Sequence, residues 1–330
     1  MHVTLTTGPD AGCTPRAPAE LSGAWSQIAE QRSPASIFLT PEWIAVAREH
    51  DSAEAVTLAV GGDAPHGIAA LARDPNGTLR FAGGELTDEQ DVVAPAGQER
   101  SVATAVADWI AAERPPRIRL EFVPEDAPTL EAVAGVLGAR GYQVERSRLI
   151  TSPRLPLPRE FETYVQSLGK KERHELRRKI RRLENATQAT FRWATESERG
   201  ATLDRFFALH RLSRGEKADF MTPDVERFFR DIADALAPLG RLRLGVLRAH
   251  EQDAAVLFAF AYRGTLALYN AAYDPALASL SIGIVSHAWA IREAIAERFD
   301  TYDLLRGDEP YKYDLGAADR WLGKLEASLP

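Results

Sequence analysis

One order of predicted elements occurs twice along this 330-residue chain, and the repeat limits the possible folds more than any other feature. In the first half, the short apolar segments "AVTLAV", "GIAALAR" and "TLRFAG" are separated by turn residues. A polar loop, an amphipathic helical segment and a fourth apolar segment follow, and the second half repeats this order from "RLRLGVLRA" onwards. Turn-linked segments predict antiparallel strands, and the helical crossover predicts a further strand in the same sheet. The order therefore predicts a duplicated α/β unit, with each copy a mostly antiparallel mixed sheet flanked by helices.

The repeat divides the chain into four predicted segments. Residues 1–35 are rich in Pro, Gly, Ala and Ser, which predicts a loosely ordered leader with room for one short helix. The first copy of the unit is expected at 36–155 and the second copy at 191–330. A basic linker helix is expected between them, at 156–190.

Composition and charge exclude several classes of protein. The chain is 45% hydrophobic and 26% charged, which is typical of a globular protein with a sizeable core. Its net charge of −7 argues against a general nucleic-acid binder, although it leaves room for a local basic patch. One Cys cannot form an internal disulfide, and seven His without metal-ligand spacing predict no metal site. No secretory signal and no long apolar run is evident, so we expect a cytoplasmic protein without a transmembrane segment.

The linker contains a strongly basic helical segment, Lys170 to Arg182. Leu176, Ile180 and Leu183 recur at helical spacing, so one side of this helix is expected to pack and the other to present cations. One interpretation is an ordinary solvated helix face. The other is a contact with a polyanion: tRNA, the phosphates of coenzyme A or a phosphorylated acceptor.

The last predicted strand runs into an unusually polar segment, "DLLRGDEPYKYDLG". It places Arg306, Asp308, Glu309, Tyr311 and Lys312 within seven positions, where Gly and Pro interrupt regular pairing. We expect these residues on a loop at the edge of the sheet, where functional groups often lie. The alternative is an internal salt-bridge network that only holds the loop.

Several segments, in this order, resemble one known family: "LPREFETYVQSLGKKERHELRRKIRRLE", "FFALHRLSRGEK", "AAVLFAFAYRGTLALYNAAYDP", "SIGIVSHAWAI" and "YDLLRGDEPYKYDLG". Together they resemble the acetyltransferase-like domain of the CelD/BcsL (BioF2-like) type over about residues 155–320. This family is a branch of the GNAT superfamily, related to the Fem aminoacyl transferases of peptidoglycan synthesis. The resemblance implies a tandem GNAT-like fold and transfer of an acyl group, such as acetyl, to an amine or hydroxyl. The implied acceptor is a small molecule, a sugar or a cell-envelope precursor, in polysaccharide or envelope biosynthesis.

The resemblance also implies a donor, with no permanently bound cofactor. Acyl-CoA is the expected co-substrate, and GNAT proteins hold its pyrophosphate on the amides at the start of the helix after the fourth strand. Here these positions are Ser281, Ile282 and Gly283, although the Q/R-x-x-G-x-G/A signature is absent and Ser281 has a second interpretation as a simple helix cap. Two alternatives stay open: a Fem-like enzyme that uses aminoacyl-tRNA and contacts it through the basic helix, and a catalytically inactive GNAT-like binding module.

Acyl transfer to an amine requires a base for the proton and donors for the developing oxyanion. Our hypothesis is that Glu309 or Asp308 is the base or the anchor of the acceptor amine, and that Lys312 contacts a phosphate or the tetrahedral oxygen. Tyr269 is either a general acid or a core tyrosine, and Asp303 is expected to orient a partner. The candidate substrate-binding residues are Lys312, Arg306, Tyr311, His210, Arg211 and Arg214. For His210, the alternative is a contact with the last carbonyls of its own helix.

Overall fold

The computed structural model describes residues 12–213 and 219–330, which form two compact units. The first unit contains the chain up to Ile150 together with Trp321–Pro330, and the second contains Thr151–Arg320. The C-terminal half predicted at 191–330 extends beyond the second unit, because the last strand pairs within the first one.

The strands of the first unit form one seven-stranded sheet in the order β1-β2-β3-β4-β5-β13-β6. They are β1 (Cys13–Pro15), β2 (Glu54–Val60), β3 (Gly67–Arg73), β4 (Thr78–Phe81), β5 (Arg117–Pro124), β6 (Gln143–Thr151) and β13 (Trp321–Ser328). Strands β2, β3 and β4 form an antiparallel meander, and β5 runs parallel to β4. Strand β13 is antiparallel to β5 and lies between β5 and β6.

The helices of the first unit are α1 (Pro18–Gln31), α2 (Pro41–Glu49), α3 (Glu99–Glu113) and α4 (Thr129–Ala139). Helix α1 falls within the segment predicted to be loosely ordered. It is fixed by Trp25, which is buried and whose Nε1 donates to the carbonyl of Leu39 at 2.9 Å. An indole needs both an apolar site and a partner for its N–H, and this partner lies outside the leader, where composition alone gives no sign of it.

The strands of the second unit form a six-stranded sheet in the order β7-β12-β11-β10-β9-β8. They are β7 (Arg154–Pro156), β8 (Thr190–Trp193), β9 (Leu242–Ala249), β10 (Gln252–Tyr262), β11 (Thr265–Tyr273) and β12 (Thr301–Asp303). Strands β9, β10 and β11 form an antiparallel meander, and β12 runs parallel to β11. Each unit therefore contains the same meander followed by a parallel strand, which confirms the predicted duplication of a mixed-sheet α/β unit.

Helices cover both faces of the second sheet. They are α5 (Phe161–Ser167), α6 (Lys170–Ala186), α7 (Arg199–Leu212), α8 (Pro223–Leu236), α9 (Ile282–Ala296) and the short α10 (Pro310–Asp314). Leu257 of β10 belongs to the core under α5, α6 and α9, whereas its neighbour Phe258 packs with the aromatic rings of α7 and α8. Adjacent residues of a strand point to opposite faces, so the sheet separates an α9 face from an α7/α8 face.

Helix α6 corresponds to the predicted basic helix. It buries Leu176 and Leu183 in the core of the second unit, while its cations lie mostly at the surface. Within residues 12–213 and 219–330, no helix has the length and apolar character that a membrane crossing requires.

Candidate functional site

The second sheet opens where β11 and β12 part. The two strands pair in parallel over only three positions, from Thr265 with Thr301 to Ala267 with Asp303. Strand β11 then continues to Tyr273, whereas the chain leaves β12 directly after Asp303. The opening lies at the carboxyl end of β12, beside the second half of β11, and the carboxyl ends of parallel strands are common positions for ligand sites in α/β sheets.

A β-bulge lies on β11 beside this opening. Ala259 of β10 pairs with Leu268 and Phe258 pairs with Asn270, so Tyr269 is the extra residue. The ring of Tyr269 is half-buried and packs 5.3 Å from Phe229, on the α7/α8 face. Tyr269 is thus partly a core tyrosine at the edge of the opening, and its role as a general acid stays a prediction.

His210 reaches the bulge from the last turn of α7. Its Nε2 lies 2.8 Å from Oδ1 of Asn270, which also accepts from the backbone N–H of Ala271 at 2.7 Å. Because Oδ1 can only accept, Nε2 of His210 carries the proton and donates. The buried imidazole therefore faces β11 through Nε2. Asn270 was not predicted as a site residue, although an amide within the otherwise apolar segment "TLALYNAAY" could have indicated it.

The neighbouring arginine candidates differ in position. Arg211 is exposed and forms an ion pair with Glu226 of α8. Its guanidinium lies at the surface of the second unit, and substrate binding by Arg211 stays a prediction. Arg214 lies outside the residues that the structure describes.

Asp303 is held by two hydrogen bonds at the end of β12. One oxygen accepts from Nε of Arg154 at 2.6 Å, and the other accepts from the backbone N–H of Leu305 at 2.9 Å. Its side chain is 3% exposed. Asp303 thereby joins β7, β12 and the turn after β12, and Arg154 is a partner that the sequence analysis did not identify.

The segment after Asp303 differs from its prediction in two ways. The strand predicted to run into this segment ends at Asp303, and the chain then bends because Leu305 has φ 56° and Gly307 has φ 114°. Tyr311 and Lys312 were predicted on a loop but lie on α10, because Pro310 takes the first helical position, where its missing N–H costs nothing. Asp308 and Glu309 remain exposed ahead of this helix.

Lys312 is the buried centre of this segment, with 2% of its side chain exposed. Its Nζ donates to the carbonyls of Leu305 at 3.0 Å, Arg306 at 2.7 Å and Gly307 at 3.2 Å. Oε2 of Glu309 lies 3.0 Å away. An ammonium has three N–H donors, so these carbonyls occupy the donors of Lys312 in this conformation. The ion pair expected from the structural alternative is present, and contact of Lys312 with substrate stays a prediction.

Tyrosine hydroxyls line the α9 face next to this segment. The ring of Tyr311 stacks on His287 of α9, with 5.0 Å between centroids and 15° between planes. Burial, and then the carboxylate of Glu309, raise the pKa of Tyr311. Tyr302 of β12 is fully buried, and among the described residues no group bonds to its hydroxyl; burial raises its pKa well above the usual value. Both tyrosines therefore stay protonated near neutral pH.

The start of α9 has no side-chain cap. Ser281 adopts φ 58° and its side chain makes no capping hydrogen bond, so the capping alternative is wrong. The first-turn amides, including those of Ile282 and Gly283, have no partner within the helix. A Cβ at Gly283 would lie 3.2 Å from the ring of Tyr273, so glycine lets this ring pack closely. Nη1 of Arg182 donates to the carbonyl of Ser279 at 2.9 Å, which places a cation beside the loop.

The structure thus divides the predicted residues between two faces of one sheet. Tyr311 and the start of α9 belong to the α9 face. His210 and Tyr269 belong to the α7/α8 face, together with Asp303, because Tyr302 next to it points into the α9 core. The opening between β11 and β12 lies between these two faces.

Comparisons with known proteins agree with this arrangement. The model of the acetyltransferase (GNAT) domain family matches residues 170–313, from the start of α6 into α10. No curated protein sequence matches the chain.

Three solved structures have similar folds. The crystal structure of FemX has a TM-score of 0.67 at 13% identity, covering 95% of this chain and 96% of that one. L-PGS from Bacillus licheniformis has a TM-score of 0.54 at 13% identity, with 88% and 91% covered. A tandem GNAT protein from the clavulanic acid biosynthesis pathway has a TM-score of 0.52 at 10% identity, with 96% and 98% covered. At these identities the likeness concerns the fold alone, and it confirms the predicted tandem GNAT-like architecture.

Proposed function

We propose that the second unit transfers an acyl group from a carrier to an amine or hydroxyl. The observation that carries the proposal is the separation of β11 and β12, the strands before and after α9 in the chain, together with the start of α9, whose first amides have no side-chain cap. It lies within the part of the chain that matches the GNAT domain model. A carrier phosphate at the start of α9 would place the acyl group toward the opening of the sheet.

The proposed chemistry uses groups of the second unit. An acceptor nitrogen attacks the acyl carbonyl carbon, the bond to the carrier breaks, and the acceptor loses one proton. Glu309 or Asp308 is the proposed base, supported by the exposure of both carboxylates. The leaving thiolate takes a proton, for which Tyr311 and Tyr269 are the proposed donors. We propose Arg306, Lys312 and His210 as contacts for phosphate or acceptor.

Acyl-CoA is the first proposed donor, and the acceptor is a small molecule, a sugar or an envelope precursor met in the cytoplasm. A CelD/BcsL-type enzyme of polysaccharide or envelope biosynthesis fits this proposal. The second candidate is a Fem-like transfer from aminoacyl-tRNA, favoured by the cations of α6 between Lys170 and Arg182. A GNAT-like module that binds without turnover is the third candidate.

Incubation with acetyl-CoA and a library of amines and hydroxyl compounds tests the proposal. We expect release of free thiol together with a mass increase of one acceptor. Glu309→Gln is expected to lower turnover by about 10²-fold or more, as for other general bases. Glu326→Gln is the matched control, because Glu326 is also an exposed carboxylate paired with a lysine. Binding of acetyl-CoA without turnover of any acceptor would favour the inactive module.

A further inference from the structure

A groove of about 930 Å³ lies between α5 and α6 in the second unit, apart from the opening between β11 and β12. Its floor contains the apolar side chains of Phe161, Val165 and Ile180, and Val165 is 2% exposed. Its wall is formed by cationic side chains of α6. The cations are Lys170, Lys171, Arg173, Arg177 and Arg181.

Most of these cations form no ion pair with a described residue. Arg177 forms an ion pair with Glu162 across the groove. For Lys170, Lys171, Arg173 and Arg181, no carboxylate partner occurs in the described part of the chain, and Arg173 donates only to oxygen atoms of Gln166. Four cations without an ion-pair partner among the described residues thus line one groove in a protein whose net charge is −7.

The spacing of these cations fits an extended ligand. Positions 170, 173, 177 and 181 recur every three to four residues, so the side chains follow one side of the helix. From Lys170 to Arg181 they extend over about 16 Å of the helix axis. A single pyrophosphate is too short to meet all of them. A duplex keeps its bases stacked inside and offers none to the apolar residues of the groove, whereas a single strand can place a base there.

We propose that the groove between α5 and α6 binds a single-stranded phosphodiester chain, namely RNA. The cations of α6 pair with successive phosphates, and the ring of Phe161 offers an apolar surface for a base. Because the rest of the chain is acidic, RNA is repelled elsewhere and is held at this groove. The inference extends the second candidate donor of the proposed function, yet binding requires no acyl transfer and is measured without any acyl donor.

Fluorescence anisotropy with a labelled single-stranded RNA of about 12 nucleotides tests the proposal. Four phosphate contacts predict a slope of about −2.8 for log K against log salt, or about 50-fold weaker binding at 200 mM than at 50 mM salt. The variant Lys170→Ala/Lys171→Ala/Arg181→Ala retains only the contact of Arg173. We therefore expect a slope of about −0.7, which is only about threefold weaker binding over the same salt range.

A single-charge comparison is the matched control. Lys171→Ala removes a cation of the groove and is expected to reduce the slope by about 0.7, whereas Lys179→Ala removes a cation of α6 that does not line it and should leave the slope unchanged. Full retention of the slope in the triple variant, or an equal reduction in Lys179→Ala, would overturn the proposal. Binding of phosphatidylglycerol vesicles or coenzyme A in place of RNA would overturn it as well.

Glu309→Gln separates this inference from the proposed function. We expect this variant to bind RNA with an unchanged slope while acyl transfer is lost. Acyl transfer by a protein that does not bind RNA would overturn the groove assignment alone.

Discussion

Replacement of Lys312 by Met is expected to destabilise the second unit by about 3 kcal/mol. Lys312 is buried, and its ammonium donates to three backbone carbonyls near Gly307 and faces Glu309. Each hydrogen bond to a charged group contributes about 1.5–3 kcal/mol, so complete loss of three would cost more than 4 kcal/mol. Arg306 and Gly307 are only half-buried, and their carbonyls regain water in the variant. Met also keeps the apolar part of the Lys312 side chain, so the expected net loss in the free energy of unfolding is about 3 kcal/mol.

Urea denaturation measures this loss directly, and thermal unfolding provides a second readout. For a unit of this size, a loss of about 3 kcal/mol lowers Tm by roughly 6–12 °C. Lys324→Met is the matched control, because Nζ of Lys324 lies 2.7 Å from Glu326 in a pair with both side chains partly exposed. An exposed pair of this kind contributes less than about 1 kcal/mol.

The same comparison separates a structural role of Lys312 from a chemical one. Glu309→Gln is expected to cost less than about 1 kcal/mol, because the Glu309 side chain is 55% exposed. If Lys312→Met costs no more than Lys324→Met and yet abolishes turnover, the reasoning from buried carbonyls is refuted. Lys312 would then serve the reaction and not the loop.

Tyr302→Phe removes a buried hydroxyl that has no partner among the described residues, so urea denaturation should show no loss of stability; a loss above about 1 kcal/mol would contradict this. Arg154→Met removes the cation beside the buried carboxylate of Asp303 and should cost about 3 kcal/mol, while Arg154→Met/Asp303→Leu should cost less than Arg154→Met alone; costs of the two substitutions that simply add would contradict an ion pair. The backbone N–H and hydroxyl of Thr195 hold the pKa of Glu198 at about 2, so its contribution to stability is present above pH 4.5 and is lost as pH falls toward 2. NMR titration of Glu198 checks this midpoint, and Thr195→Val should raise it.

The regular elements could be predicted from the sequence because their signals are local. The strand "GIAALAR" has the predicted bounds of β3, since apolar residues and turn residues on both sides define it. Strand β12 is shorter than predicted because Leu305 and Gly307 adopt positive φ angles, and their carbonyls accept from the ammonium of Lys312 on the following helix. Helix α1 was underestimated for the same reason, because Trp25 is fixed by Leu39.

The density of charged residues after Asp303 indicated a segment that the structure gathers around Lys312, but the contacts within and around it could not be assigned from the sequence. Its partner Arg154 lies 149 positions earlier in the chain, and Asn270 lies 60 positions after His210. Such pairs depend on strand order and on a bulge, which a single sequence does not encode in any local pattern.

The position of β13 affects the order in which the chain can fold. Strands β5 and β6 belong to the first unit, yet β13, which lies between them in the sheet, follows the whole second unit in sequence. During synthesis, β5 and β6 leave the ribosome first and remain without β13, the strand that lies between them in the finished sheet. Apolar side chains such as Leu120, buried in the finished core, are then exposed to other chains. A fragment containing Thr151–Arg320 has its complete sheet, whereas the first unit would need Trp321–Pro330 fused behind Ile150 to be made alone.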